Sequence, residues 1–232
     1  SKNYRNVINY VGLTEDKYLL EKIFNKNKDI FAVVHLSGVS NDPTAMLNPN
    51  LTRKANIDAT KLLVKIAKKN KVKKFLFASS CSVYGFTGDK KKVNENSKKN
   101  PISEYAKSKV LGEKIVLKES NKDFNVYCLR KGTLYGPSDR MRFDLVLNTM
   151  VGSAIQDKKI VINGGNQWRP FLHVEDAAEA YLKLIETKNE KIKREILNVG
   201  SNDQNFQIKI LAKTVKKFIP KSKVQFSKNF DN

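Results

Sequence analysis

Three runs of consecutive apolar and β-branched residues recur along the chain: DIFAVVHL (29–36), KFLFA (74–78) and FNVYCLR (124–130). None alternates apolar with polar positions, so each predicts a strand covered on both faces. The segments between them have a different period. In residues 51–70, Ala55, Leu62, Leu63, Ile66 and Ala67 fall on one face of a helix. Residues 15–26, EDKYLLEKIFNK, are amphipathic in the same way. Strands alternating with helices imply a doubly wound parallel α/β sheet with right-handed crossovers. A short opening strand is expected at 6–11, NVINYV, and a loop at 37–50, where Pro and Asn interrupt regular structure. After Gly136-Pro137 the order is less regular. Helices are expected at 143–156, 175–186 and 208–219, and strands at 159–162, 171–174 and 195–200.

Ligands of such sheets sit at the carboxyl ends of the strands. Three chemistry-bearing segments follow that rule, because residues 35–40, 79–82 and 131–136 each come just after a predicted strand. The middle one leads into the most informative stretch, KKFLFASSCSVYG followed by PISEYAKSK. Tyr105 and Lys109 are four residues apart on the predicted helix and so share one face. A lysine ammonium beside a phenol favours the phenolate and lowers its pKa, as proton exchange near neutral pH requires. Ser80, just past the strand, is positioned to hydrogen-bond the same substrate oxygen. A Y-x-x-x-K spacing arises by chance in any lysine-rich helix; the preceding strand ending in SSCSVYG gives it weight.

With 232 residues, of which 40% are hydrophobic, the chain can bury a sizeable core. No apolar run approaches the ~20 residues of a membrane helix, and SKNYRNVINY does not read as a signal peptide. Two cysteines, Cys81 and Cys128, suggest no disulfide framework, which points to a reducing cytoplasm. The net charge of +21 invites a nucleic-acid partner. The excess is nearly all lysine, however, dispersed over helix faces and the connection GDKKKVNENSKKN without interleaved aromatics for base stacking. A solvated surface accounts for it, and nucleic acid is not the expected partner. No metal-ligand spacing occurs.

Together these motifs resemble the extended short-chain dehydrogenase/reductase family, in its NAD-dependent nucleotide-sugar epimerase/dehydratase branch. The resemblance implies a Rossmann-like doubly wound sheet with a small C-terminal substrate-binding lobe. It divides the chain into a partial dinucleotide-binding domain (1–135) and a mixed segment forming the lobe (136–232). The family's opening G-x-x-G-x-x-G turn, whose glycines approach the cofactor pyrophosphate, has no counterpart in residues 1–30. The chain therefore reads as lacking its first β-α-β segment and as short at its C-terminus.

By the same resemblance, Ser80, Tyr105 and Lys109 are the catalytic triad. Leu36, Ser37, Gly38, Val39 and Ser40 of HLSGVS line the NAD cofactor, with Ala55, Asn56, Ser79 and Gly132, and Tyr105 and Lys109 also touch it. NAD is the expected cofactor and NADP the alternative, since the residue that discriminates would lie upstream of these motifs. Leu13 stands where relatives place an Asp for adenine. Ser82, Thr133, Arg142, Asn148 and Arg169 are expected at the nucleotide-diphosphate sugar, Arg169 through a guanidinium fork on the diphosphate. Read from the residues alone, Asn56 is equally a satisfied core amide and Arg142 and Asn148 are equally solvent-facing, while for Arg169 the phosphate role is favoured over half of a surface ion pair. His173 is expected to be structural, Asp176 to place negative charge in a helix's first turn, and Cys81 to be a packed thiol. A 4,6-dehydratase needs an acid just after the catalytic Ser/Thr, where this chain has Cys81 and Ser82. That favours an epimerase working through a transient keto-sugar over a dehydratase. A reductase or dehydrogenase on the same scaffold, and a non-catalytic basic module for RNA or acidic partners, remain the rivals. Family members commonly pair as homodimers through the Tyr/Lys helix and the one before it.

Overall fold

The computed structural model describes residues 6–86, 92–188 and 194–227. Part of the lysine-rich connection GDKKKVNENSKKN and the end of KVQFSKNFDN lie outside them. In chain order the elements are α1 (Lys17–Lys26), β1 (Ala32–His35), α2 (Asp42–Leu47), α3 (Pro49–Arg53), α4 (Ala59–Lys69), β2 (Lys74–Ser80), α5 (Glu104–Glu119) and β3 (Asn125–Lys131). There follow β4 (Thr133–Tyr135), α6 (Val146–Gln156), β5 (Lys159–Ile162), β6 (Trp168–His173), α7 (Val174–Glu186), β7 (Arg194–Val199), β8 (Asn205–Gln207), α8 (Ile208–Phe218) and β9 (Lys223–Phe226).

The chain forms two compact units: Ser1–Gly85 with Lys99–Leu129 and Lys188–Leu197, and Phe86–Lys98 with Arg130–Thr187 and Asn198–Asn232. The main sheet has the order β1-β2-β3-β7. β1 and β2 run parallel, Ala32 opposite Lys74 and His35 opposite Phe77. The first unit's core lies between one face of this sheet and three helices. Phe75 and Phe77 from β2 and Val126 and Cys128 from β3 meet Leu20 and Phe24 of α1, Leu63, Val64 and Ala67 of α4, and Val116 of α5. Removing each large side chain from water contributes roughly 1.5–3 kcal/mol. In the second unit, β4 pairs parallel with β6, which pairs antiparallel with β8, and β5 pairs parallel with β9. Its own core joins Met150 and Ala154 of α6, Ile160 and Ile162 of β5, Phe171 of β6, and Ile208, Leu211 and Val215 of α8.

The parallel α/β architecture is the one that the alternating runs predict. Three local expectations need correction. Residues 6–11 form no strand, and Val7, Ile8 and Val11 are exposed; among the described residues no strand pairs with them. The expected loop at 37–50 contains α2, because Asn41 caps rather than breaks: its Oδ1 accepts the Thr44 N–H at 2.8 Å, with Pro43 in the first turn where a missing N–H costs nothing. The single helix expected at 51–70 is divided by a π-turn at Lys54–Asp58, which carries Asn56 inward. The short strands β4, β8 and β9 had no sequence signal of comparable strength.

Candidate active site

β2 is buried as far as Ser79 and ends at Ser80, where the chain turns into a 3₁₀ turn, Cys81–Tyr84. The Ser80 Oγ caps that turn, accepting the Ser82 N–H at 3.2 Å, and lies 2.5 Å from the Ser82 Oγ. Gly85 then leaves the turn at φ +66°, and a Cβ there would come within 1.9 Å of the Asn100 carbonyl. Only glycine fits, since the position demands both a left-handed backbone and close approach.

The helix α5 packs against β2 and against this turn. Ser103 caps it, its Oγ accepting the Ala106 N–H at 3.1 Å while hydrogen-bonding Asp42. Gly112 lets the helix descend onto the sheet, because a Cβ would meet the Phe77 ring at 2.5 Å. Tyr105 and Lys109, four residues apart, share one face of the helix. Lys109 is only 5% exposed, with its Nζ 5.1 Å from the Phe77 ring centre and 5.6 Å from the Tyr105 ring centre. An ammonium over aromatic faces is attracted by their quadrupoles, more so when desolvated. One turn further, buried Glu113 accepts the Ser79 hydroxyl at 2.6 Å.

The loop after β1 is tied to α5 through Asn56. Its Oδ1 accepts the Val39 N–H at 2.7 Å, and its Nδ2 donates to the Val39 carbonyl and to the Ser108 Oγ, each at 2.9 Å. Ser108 in turn donates to the Tyr105 carbonyl at 2.7 Å. Gly38 adopts φ +132°, bringing its backbone close to the same amide. Leu36 and Ser40 are exposed, whereas Ser37, Val39 and Ala55 are half-buried. A second chain of bonds runs beneath. Thr60 donates to the Asn56 carbonyl at 2.7 Å, so it accepts from His35 Nε2 at 2.8 Å, and His35 Nδ1 accepts from Ser37 at 3.2 Å. His35 is buried and neutral: burial, helped by the nearby Lys109 charge, lowers its pKa to about 4.

The remaining sequence-predicted residues belong to the second unit. The Gly132 N–H bonds the Val199 carbonyl at 3.1 Å, and Thr133 opens β4. Arg142 forms a two-point pair with Asp144, at 2.9 and 2.5 Å, and Asn148 donates to the Arg142 carbonyl at 3.1 Å, so these two are brought together. Arg169 is exposed on β6 and lines a recess of about 280 Å³ with Thr149 and Ser153 of α6, Asn163 and Gln167. A larger cavity, about 450 Å³, lies at the ends of β4, β6 and β7 and is lined by Tyr135, His173, Asp176, Ser201 and Gln204. His173 caps α7, taking the Glu175 N–H on Nδ1 at 3.3 Å, and its ring sits edge-on to Tyr135. Asp176 lies in that helix's first turn. Lys131 donates to Tyr181 Oη at 3.1 Å, and burial lowers its pKa to about 8.

His35 enters the sequence reading only as the start of the segment 35–40, and the sequence alone gives no role to Thr60, Ser108 or Glu113. A polar residue at a core-facing helical position was the available signal for the last three. Among the described residues no cluster of His, Cys, Asp and Glu could hold a metal ion, and no helix is long and apolar enough to cross a membrane.

Comparison with known proteins agrees with this architecture. The chain is 31% identical over 194 residues to a putative UDP-glucose 4-epimerase of Methanocaldococcus jannaschii, covering 82% of this chain and 61% of that protein. It is 29% identical over 199 residues to the dTDP-D-glucose 4,6-dehydratase of Bos taurus, covering 84% and 53%. The chain thus spans about half to three-fifths of the length of the curated relatives it matches. The UDP-glucuronic acid 4-epimerase of Bacillus cereus, solved with UDP-glucuronic acid and NAD, superposes with a TM-score of 0.79 at 27% identity, over 89% of this chain and 64% of that one. The sequence model of the NAD dependent epimerase/dehydratase family matches residues 2–200, and with its Rossmann-like parallel sheet the chain belongs to that family.

Proposed function

We propose that the chain supplies the acid–base groups for epimerising a nucleotide-diphosphate sugar through a transient keto-sugar. The observation that carries this is the Tyr105–Lys109 face of α5, packed beside the turn capped by Ser80. Tyr105 takes a proton at its Oη from a sugar hydroxyl and later returns one. The Lys109 ammonium, 5.6 Å from the phenol ring centre, stabilises the phenolate. The Ser80 hydroxyl, hydrogen-bonded to that of Ser82 at 2.5 Å, orients the reacting oxygen.

Residues 36–40, Ala55, Asn56, Ser79 and Gly132 fit NAD. The small side chains and the φ +132° of Gly38 allow close backbone approach, and Asn56 holds Val39 by both its polar groups. When bound, the dinucleotide supplies the hydride acceptor and donor. Arg169, in its recess beside α6, is the candidate for the substrate diphosphate, with Thr133 and Ser82 at the sugar and Arg142 and Asn148 at the nucleotide.

Epimerisation is favoured over 4,6-elimination because a half-buried thiol, Cys81, and a hydroxyl, Ser82, follow Ser80, and neither protonates a leaving hydroxyl as a carboxylic acid does. Exposed Met46, Leu47 and Leu51 on α2 and α3, with Leu111 on α5, support a homodimer through these helices. In the complete gene product, Tyr105→Phe should abolish sugar interconversion with no loss of fold. Retained turnover removes Tyr105 from the mechanism, and a net change in nicotinamide absorbance during turnover replaces the epimerase with a reductase or dehydrogenase.

A further inference from the structure

Beneath the loop after β1, the side chains of Thr60, His35 and Ser37 are joined in series, and counting their hydrogens fixes the direction of each bond. Thr60, 1% exposed, has one hydroxyl hydrogen and gives it to the Asn56 carbonyl at 2.7 Å. Its oxygen is left to accept, so His35, 2.8 Å away, carries its proton on Nε2. A neutral imidazole with Nε2–H has a bare Nδ1, to which Ser37 donates at 3.2 Å. The reverse order has Thr60 donating to His35 and Nδ1–H donating to Ser37. It gives up the 2.7 Å bond to Asn56 and places the Ser37 hydrogen on a 3.4 Å contact with Thr14. That contact is longer than a normal hydroxyl hydrogen bond, so the first order holds. Phe75 and Phe77 pack against the imidazole, ring centres 6.1 and 5.8 Å away, and keep both nitrogens in place.

We propose that Thr60 and His35 are positioning residues for the cofactor loop: by fixing the direction of this chain of bonds they turn the hydrogen of Ser37 inward and present its oxygen to a bound dinucleotide as an acceptor. Ser37 is half-buried in residues 36–40, the segment proposed above to run along NAD, so the inference rests on that reading. A dinucleotide carries hydrogen-bond donors at its ribose hydroxyls, its adenine amino group and its carboxamide, whereas its pyrophosphate oxygens only accept. Ser37 therefore meets one of the donors; a phosphate oxygen there would set lone pair against lone pair and lose the bond.

Asn56 joins this chain of bonds to the backbone of the same loop. Its carbonyl takes the Thr60 hydroxyl, while its side-chain amide holds the N–H and the carbonyl of Val39. Main chain and hydroxyl are thus set by different partners: the Asn56 amide places the backbone, and Thr60, through His35, sets the polarity of Ser37. The two contributions can be separated by substitution, because Thr60 and His35 touch the loop only through the Ser37 hydroxyl among the hydrogen bonds of the described residues.

The first half of the test needs no cofactor. In the complete gene product labelled with ring-¹⁵N histidine, the His35 signals are identified by their loss in His35→Gln, and NMR reports which nitrogen bears the proton. The parent should show Nε2–H with a bare Nδ1. Thr60→Val keeps the shape but leaves Nε2–H without an acceptor, so the proton should move to Nδ1, and Thr60→Ser should restore the parent tautomer. Calorimetry of NAD binding reads the consequence. Ser37→Ala and Thr60→Val should each weaken binding about five- to tenfold. The double variant should lose no more than the larger single loss, because both changes act through one hydroxyl. A parent with Nδ1–H, an unmoved tautomer in Thr60→Val, unchanged affinity in Ser37→Ala, or additive losses overturns the proposal. Where Thr60→Val does not fold, the parent tautomer and the Ser37→Ala affinity decide: Nε2–H together with weakened binding supports it, and the absence of either overturns it. A parent that binds no NAD removes the cofactor reading and this inference with it, whereas NAD binding indifferent to Ser37 removes only the inference.

Discussion

The two charged regions that matter most in this molecule are built in opposite ways. On α5 of the first unit, Lys109 is 5% exposed, walled by Phe77 and Tyr105, with Asn56 and Ser108 bonded to the neighbouring backbone. In the second unit, Arg169 lies exposed beside a shallow recess, and Arg142 spends its fork on Asp144, with side chains 34% and 43% exposed. Groups that must exchange a proton gain from a low dielectric and a fixed geometry, so they are buried and over-determined. Groups that recognise a charged ligand gain from access, and their ion pairs in water are individually weak. The contrast predicts that changes on the α5 face act on chemistry or on global stability, whereas changes around Arg169 act on binding.

The largest effect should come from Tyr105→Phe in the complete gene product. Loss of the phenol oxygen should lower kcat by about 10³-fold, within the range for general acid–base groups, while the urea midpoint stays within experimental error. A fall of less than tenfold would break the comparison at its strongest point.

Next comes acid stability. Unfolded His35 binds a proton near pH 6.5 and the folded residue only near pH 4, so between those values the unfolded state holds more protons and stability falls as the pH falls. The loss should approach about 3 kcal/mol by pH 4. Denaturation midpoints measured across this range should decline more steeply in the parent than in His35→Gln, and parallel curves would show that burial of His35 is not what resists acid.

Asn56→Ala should follow, leaving the Val39 N–H and carbonyl and the Ser108 hydroxyl without this partner at a cost of about 2 kcal/mol. Hydrogen exchange at the Val39 amide should accelerate in step. Fast exchange in the parent would mean that the loop after β1 is not held by Asn56.

Smallest is Arg169→Ala, expected to weaken nucleotide-diphosphate sugar binding about tenfold by calorimetry, with little effect on folding. Equal loss of stability and of binding would blur the distinction between the two regions.

Much of the fold is legible in the sequence, for local reasons. The runs at 29–36, 74–78 and 124–130 became β1, β2 and β3 because a doubly covered strand needs unbroken apolar sequence. Tyr105 and Lys109 share a face because four residues make little more than one helical turn. The misreadings have physical causes too. Asn41 and Asn48 have the composition of breakers, yet each accepts an N–H three residues on and starts a short helix. Residues 6–11 have strand-like composition, but a strand exists only with a neighbour, which composition does not supply. The partners of Asn56, at positions 39 and 108, and of Glu113, at position 79, are remote in sequence, and no periodicity announces them.

What the amino-acid order determined by itself is the succession of strands and helices and the placing of a serine, a tyrosine and a lysine on neighbouring elements, because secondary structure and side-chain spacing follow from contacts a few residues apart. What only the tertiary structure decided is the electrical state of that region: that His35 is neutral, that Lys109 is sealed beside Phe77, and that Glu113 faces Ser79. Desolvation and charge pairing depend on which distant segments close over a group, and that is set only when the helices pack onto the sheet.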